Sequence, residues 1–141
     1  MFFLYNINML SSFAEASDQA PPKTVLNVED NEENRRLVRR LLQFQGYNVL
    51  EAESAKQAME LLVSCIPDLI LLDINMPDED GYSLTVKLKM NPSLNKVPIV
   101  AITANALKGD RERTFQAGCD GYIEKPIDIE AFLDTMNRFI G

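Results

Sequence analysis

From Thr24 onward the chain alternates short apolar runs with segments of helical spacing. The apolar runs are Thr24–Val28, Asn48–Ala52, Leu69–Leu72, Ile99–Ile102 and Gly121–Ile123. The third is continuously apolar, the pattern of a parallel strand covered on both faces. Between the runs, Leu37, Leu41, Leu42 and Phe44 mark a first helix that Gly46 stops. Ser54 with Gln57 forms a capping box for a second, with Ala58, Leu61, Leu62 and Cys65 on its inner face. Leu84 and Leu88 mark the third, and Phe115 and Ala117 close the fourth before Gly118. Asp128 caps the last, which carries Ile129, Phe132, Leu133, Met136, Phe139 and Ile140 at helical intervals. The least apolar helical stretch runs from Ala104 to Arg113, interrupted by Gly109. Five alternations predict a doubly wound α/β fold: a five-stranded parallel sheet, right-handed crossovers and five helices. Such sheets place their site outside the carboxyl ends of the strands.

Composition narrows the class. The chain has 141 residues, 46% hydrophobic and 25% charged, which suits one soluble domain. A formal net charge of −7 argues against a nucleic-acid surface. Cys65 and Cys119 lack metal-ligand spacing and read as small buried hydrophobes in a reducing cytoplasm. Met1 to Leu10 are mostly apolar, but they lack a basic start and Asn6 and Asn8 interrupt them, so they do not form a signal peptide. No apolar run approaches the roughly 18 residues of a membrane span. Residues 1–23, ending in Pro21, Pro22 and Lys23, read as an extension, either a poorly ordered leader or a docking tail, ahead of a domain over residues 24–141.

The strand ends carry the chemistry. Glu29, Asp30 and Asn31 follow the first strand, Asp73 and Asn75 the third, Thr103 the fourth, and Lys125 and Pro126 the fifth. Taken singly, each is ordinary: an acid as a helix cap, a threonine in a turn, a lysine in water. Together they gather three carboxylates, a hydroxyl and an ammonium at one edge. Crowded acids need a cation or shifted ionisation. An oxygen-only donor set suits a hard ion such as Mg²⁺. A carboxylate beside such an ion and an ammonium is a nucleophile toward phosphorus.

The segments Val28-Glu29-Asp30-Asn31, Leu72-Asp73-Ile74-Asn75-Met76-Pro77, Asp80-Gly81-Tyr82, Ile102-Thr103-Ala104 and Lys125-Pro126 resemble the receiver domains of two-component response regulators. The resemblance runs from about Lys23 to Gly141. It implies a flavodoxin-like strand order 2-1-3-4-5. It also implies Asp73 as phosphoacceptor, Mg²⁺ held by Glu29, Asp30, Asp73 and the Asn75 backbone carbonyl, and Thr103 and Lys125 on the phosphoryl group. Tyr122 would move inward on activation, and the Lys125–Pro126 peptide would be cis. Such a domain is not an enzyme in the ordinary sense, although it catalyses its own phosphorylation and slow dephosphorylation. The implied partners are a sensor histidine kinase or histidine phosphotransfer protein and a downstream protein target, in the cytoplasm, with neither nucleic acid nor membrane. Two departures stand out: Glu29 replaces a more usual aspartate, and Asn27 sits inside a buried strand and needs a partner.

Three rivals use similar features. A haloacid-dehalogenase-type phosphatase needs a second acid two residues after its nucleophile, where this chain has Asn75. A flavin-binding electron carrier needs a hydroxyl- and glycine-rich phosphate loop, which Glu29-Asp30-Asn31-Glu32 would oppose. A phosphorylation-independent, receiver-like interaction module would not require every chemical position to be filled. Arg35, Arg36, Arg39 and Arg40 on the first helix form either a solvated face or a docking surface for an acidic phosphotransfer helix or kinase. The initial Met1 favours a stand-alone regulator over a piece of a larger protein.

Overall fold

The computed structural model describes residues 21–76, 81–104 and 109–141. Most of the 1–23 extension therefore lies outside the described residues, as does Asn105–Lys108 of the weakly apolar stretch. The strands are β1 (Thr24–Val28), β2 (Asn48–Ala52), β3 (Leu69–Asp73), β4 (Ile99–Thr103) and β5 (Gly121–Glu124). The helices are α1 (Glu32–Phe44), α2 (Ala55–Leu62), α3 (Gly81–Met90), α4 (Asp110–Ala117) and α5 (Ile129–Ile140). The sheet is parallel throughout, in the order β2-β1-β3-β4-β5, as expected of a flavodoxin-like fold.

Two apolar layers hold it together. On one face Leu26, Val28, Ile70, Leu72 and Ala101 meet Ala55, Ala58 and Leu62 of α2 and Leu84 and Leu88 of α3. On the other, Val25, Leu69, Leu71, Val100 and Ile102 meet Val38, Leu41 and Leu42 of α1 and Phe132, Met136 and Ile140 of α5. Every residue of β3 and β4 is buried, because helices cover both faces and a neighbour flanks each edge. Local signals set the helix limits. The Ser54 hydroxyl accepts from Gln57 N at 3.1 Å, while Gln57 Oε1 accepts from Glu53 N at 2.6 Å. Asp128 accepts from Ala131 N at 3.1 Å. Gly46, at φ +88°, takes the left-handed turn that ends α1. A Cβ on Gly81 would lie 2.7 Å from the Ile74 Cα, so glycine lets α3 start against the loop that follows β3.

The apolar faces differ in detail from the spacing. Phe44 is 80% exposed, and Leu37, Phe115 and Ile129 also face outward. Val38 and Thr114 supply the inward contacts on α1 and α4 instead. Periodicity gives a stripe about 100° wide, and neighbouring helices decide which of its edges are covered. Cys119 is buried but Cys65, just past α2, is only half-buried, and both are free thiols.

Asn27 is the exception within the core. It is 1% exposed and pairs with Glu51 of β2 and Leu71 of β3 in the strand register. By strand alternation its side chain shares a face with Val25, beneath α1 and α5. Neither amide atom has a hydrogen-bond partner among the described residues. A buried polar group left unpaired costs about 1–3 kcal/mol. Asn27→Leu, of the same branched shape, should therefore raise the unfolding free energy by about 1–2 kcal/mol in urea titrations. An unchanged or lower midpoint would show that the amide is satisfied in solution.

Candidate functional site

The carboxyl ends of β1, β3 and β5 converge on one acidic cluster. Glu29 leaves β1 with its side chain 2% exposed as a residue, and its Oε2 accepts from Asn31 N at 3.1 Å. The N-cap of α1 is Asn31, whose Oδ1 accepts from Asn34 N at 2.9 Å. The capping role open to Glu29 or Asp30 is thus taken by their neighbour. Asp73 ends β3 almost fully buried, and its Oδ1 accepts from Asn75 N at 3.0 Å. Lys125 follows β5 across a cis peptide to Pro126. Its Nζ lies 3.2 Å from Glu29 Oε1 and 3.5 Å from Asp73 Oδ2. The Lys125 N–H also donates to the Thr103 carbonyl at 2.8 Å, continuing the β4–β5 ladder past the strand end.

The electrostatics follow from crowding. Oxygen atoms of Glu29, Asp30 and Asp73 all lie within 4.8 Å of one another. Burial pushes the Glu29 carboxyl up to about 7, and the hydrogen bond and negative charge of Asp73 push the same way. The Asn31 N–H and the Lys125 ammonium oppose them without prevailing. A single ammonium does not neutralise three carboxylates, so the site has a standing deficit of positive charge. A hard divalent cation fits that deficit and that donor set.

Thr103 reaches a second group of residues. Its hydroxyl lies 3.1 Å from Asn75 Oδ1 and 2.9 Å from Asp110 Oδ2. Asn75 Oδ1 also accepts from Ala104 N at 3.1 Å, so that side chain ties the β3 loop to the β4 loop. The Tyr82 hydroxyl of α3 donates to the other Asp110 oxygen, and the Arg113 guanidinium stacks 4.3 Å from the Tyr82 ring centre. Tyr122 is half-buried. Its hydroxyl is buried without a hydrogen bond among the described residues, and burial together with the Asp110 carboxylate pushes it up to about 12.

Two residues here escaped the sequence reading. Asp110 stands outside the strand-end pattern, and nothing local marks its reach to Thr103. Arg35 looked like part of a basic face, but its Nη1 donates to the carbonyls of Glu29 at 2.9 Å and Asp30 at 3.4 Å. It therefore braces the acidic loop from behind. Arg39 is likewise engaged, with Nη1 2.7 and 2.9 Å from the two Glu51 carboxylate oxygens. Only Arg36 and Arg40 of the four arginines are exposed.

Comparison with known proteins places this geometry in a class. A model of the response regulator receiver domain family matches residues 25–137, and the chain belongs to that family. It is a two-component receiver, a signalling domain, and this reading holds over the rival ones. Among its relatives is the polar-differentiation response regulator DivK of Brucella anthropi, 42% identical over 120 residues that span 85% of this chain and 98% of the relative. DivK of Brucella ovis is 42% identical over 119 residues, 84% of this chain and 97% of its own. The receiver domain of the sensor histidine kinase PA1611 from Pseudomonas aeruginosa PAO1 superposes with a TM-score of 0.78 at 37% identity, covering 85% of this chain and 98% of that one. That structure holds a magnesium ion in its active site cleft. Chemotaxis protein CheY4 of Vibrio cholerae gives a TM-score of 0.79 at 27% identity over 84% of this chain and 99% of its own. No helix among the described residues is long and apolar enough to cross a membrane.

The raised Glu29 carboxyl has a pH signature. Its folded value, about 7, lies above its ordinary 4.5, so folding favours the protonated form. Its stability contribution is complete below about 4.5 and is lost as pH rises through about 7. Without divalent ions, wild-type stability relative to Glu29→Gln should fall across that interval. Mg²⁺ affinity should rise over the same interval, because the ion competes with the proton. Calorimetry at several pH values checks both trends; parallel profiles for the two proteins would refute them.

Proposed function

We propose that Asp73 accepts a phosphoryl group from a phosphohistidine, with Mg²⁺ held by Glu29, Asp30, Asp73 and the Asn75 backbone carbonyl. The observation that carries this reading is the approach of Lys125 Nζ to both Glu29 and Asp73, within an acid cluster spanning 4.8 Å. A bound Mg²⁺ would supply charge neutralisation for the phosphoryl oxygens. The remaining tasks fall to the chain itself. The Asn75 N–H and the Lys125 ammonium fix the Asp73 carboxylate, and burial keeps competing water low. An Asp73 oxygen forms the new P–O bond as the donor's P–N bond breaks, and the departing imidazole takes up a proton. The Thr103 hydroxyl and Lys125 then meet the phosphoryl oxygens. The domain thus promotes its own phosphorylation and slow dephosphorylation and is otherwise not an enzyme.

The signal passes from Thr103. Drawn toward the phosphoryl group, it leaves space into which the half-buried Tyr122 ring moves further. The groove of about 600 Å³ between α4, β5 and α5, lined by Arg111, Phe115, Tyr122, Glu124, Arg138 and Phe139, is reshaped for a downstream protein. On α1, exposed Arg36 and Arg40 flank outward-facing Leu37, a surface suited to the helix of a sensor histidine kinase or phosphotransfer protein. The receiver occupies residues 24–141, with residues 1–23 as an extension, and works in the cytoplasm, where its free thiols stay reduced. It uses neither nucleic acid nor membrane.

Incubation with acetyl phosphate and Mg²⁺ should add one acid-stable, base-labile phosphoryl group, read by intact-mass spectrometry. Asp73→Asn should reduce labelling to background, and full labelling of that variant would remove Asp73 from its role. Asp30→Asn should weaken Mg²⁺ binding by about tenfold or more and slow labelling with it. Unchanged affinity would reassign Asp30 to the solvated surface.

A further inference from the structure

We propose that Asp110 is a positioning residue that holds the Thr103 hydroxyl away from the phosphorylation site, so that it sets how easily the receiver is switched on. The inference rests on the proposed phosphorylation of Asp73. Thr103 has one hydroxyl proton and two acceptors within bonding distance among the described residues, Asn75 Oδ1 at 3.1 Å and Asp110 Oδ2 at 2.9 Å. The Asp110 carboxylate is the nearer and, when ionised, the stronger, since a hydrogen bond to a charged acceptor is about twice as strong as a neutral one. A phosphoryl group on Asp73 therefore has to win the proton from a carboxylate, not from water.

The latch is anchored on both sides. Asp110 is the first residue of α4, and the Thr114 hydroxyl donates to its carbonyl at 2.8 Å. Its other carboxylate oxygen takes the Tyr82 hydroxyl of α3, so the side chain is not free to follow Thr103. Arg113, stacked over Tyr82, holds the outer side of this cluster. When Thr103 departs, Asp110 loses one of the groups tying α4 to the end of β4. Release of α4 and capture of the phosphoryl group then become a single event.

The test uses the full chain with beryllium fluoride as the phosphoryl mimic at saturating Mg²⁺, with affinity read by fluorine NMR. Asp110→Asn keeps the shape and weakens the acceptor, and should tighten binding about fivefold, the effect of trading a charged for a neutral hydrogen bond. In a Thr103→Ala background the same substitution should change nothing, because no hydroxyl remains to be released. Tyr82→Phe, which removes the other bond to Asp110 but leaves the Thr103 contact, should tighten binding less than Asp110→Asn, because the carboxylate keeps its hold on the hydroxyl but is freer to move with it. Equal tightening with and without Thr103 would mean that Asp110 acts only through its long-range charge, and would overturn the latch. Unchanged or weaker binding by Asp110→Asn, with wild type binding normally, would also overturn it and leave the phosphoacceptor reading intact. Failure of wild type to bind the mimic would overturn that reading, and the latch with it.

Discussion

Two carboxylates buried side by side at the carboxyl edge of the sheet, Glu29 and Asp73, are the constraint around which the rest is arranged. Charge removed from water is costly unless it is paired and hydrogen-bonded. The fold meets that cost with several partial compensations. Backbone N–H groups of Asn31 and Asn75 each point at one of the acids, and Lys125 bridges the pair. Compensation is incomplete, as the displaced Glu29 carboxyl shows. A site finished to neutrality would have little affinity for a cation. The residual charge is what leaves it receptive.

Holding such a pair in place requires a stiff frame, and the frame is local to the strand ends. β3 delivers Asp73 from the middle of the sheet, between two largely apolar layers. Asn31 caps α1, so the turn carrying Glu29 and Asp30 leads straight into a helix. Arg35, one turn into that helix, reaches back to the carbonyls of both acids. The far edge of the sheet is secured separately, by Lys89 Nζ at 2.8 Å from Asp120, whose carboxylate also accepts from Ile99 N at 2.9 Å. The α4–β5–α5 side joins the site through Lys125 and Thr103.

That side is built differently. α4 is eight residues long, strongly polar, and begins at a left-handed Gly109 without a side-chain cap. Its register is set largely through side chains, namely the Asp110 contacts to Thr103 and Tyr82. Elements held by a few exchangeable hydrogen bonds are the ones that open at low cost. Thr103 belongs to both regions, since it ends a wholly buried strand and contacts the polar helix. The buried Tyr122 hydroxyl beside Asp110 lies on the same route. Tyr122 itself lines the groove beyond.

How much of this was legible in the sequence depends on the range of each interaction. Strand positions, the caps at Ser54 and Asp128, the stop at Gly46 and the residues following each strand could all be read from the chain, because each is written in neighbours a few positions apart. The alternation of elements also fixed the doubly wound topology, and with it the convergence of Glu29, Asp73, Thr103 and Lys125 at one edge. Which arginines of α1 face outward could not be read, because Arg35 and Arg39 find partners across loops and strands that the helical period does not describe. Leu37, Phe44 and Ile129 kept the right spacing but lie at stripe edges that no neighbouring helix covers. Asp110 was the least visible: its meaning comes from a threonine seven positions earlier and a tyrosine on another helix. The sequence alone thus determined the chemistry gathered at the sheet edge, because strand ends and caps are local. The tertiary structure alone decided which charges brace, latch or face solvent, because those choices depend on distances between elements distant in the chain.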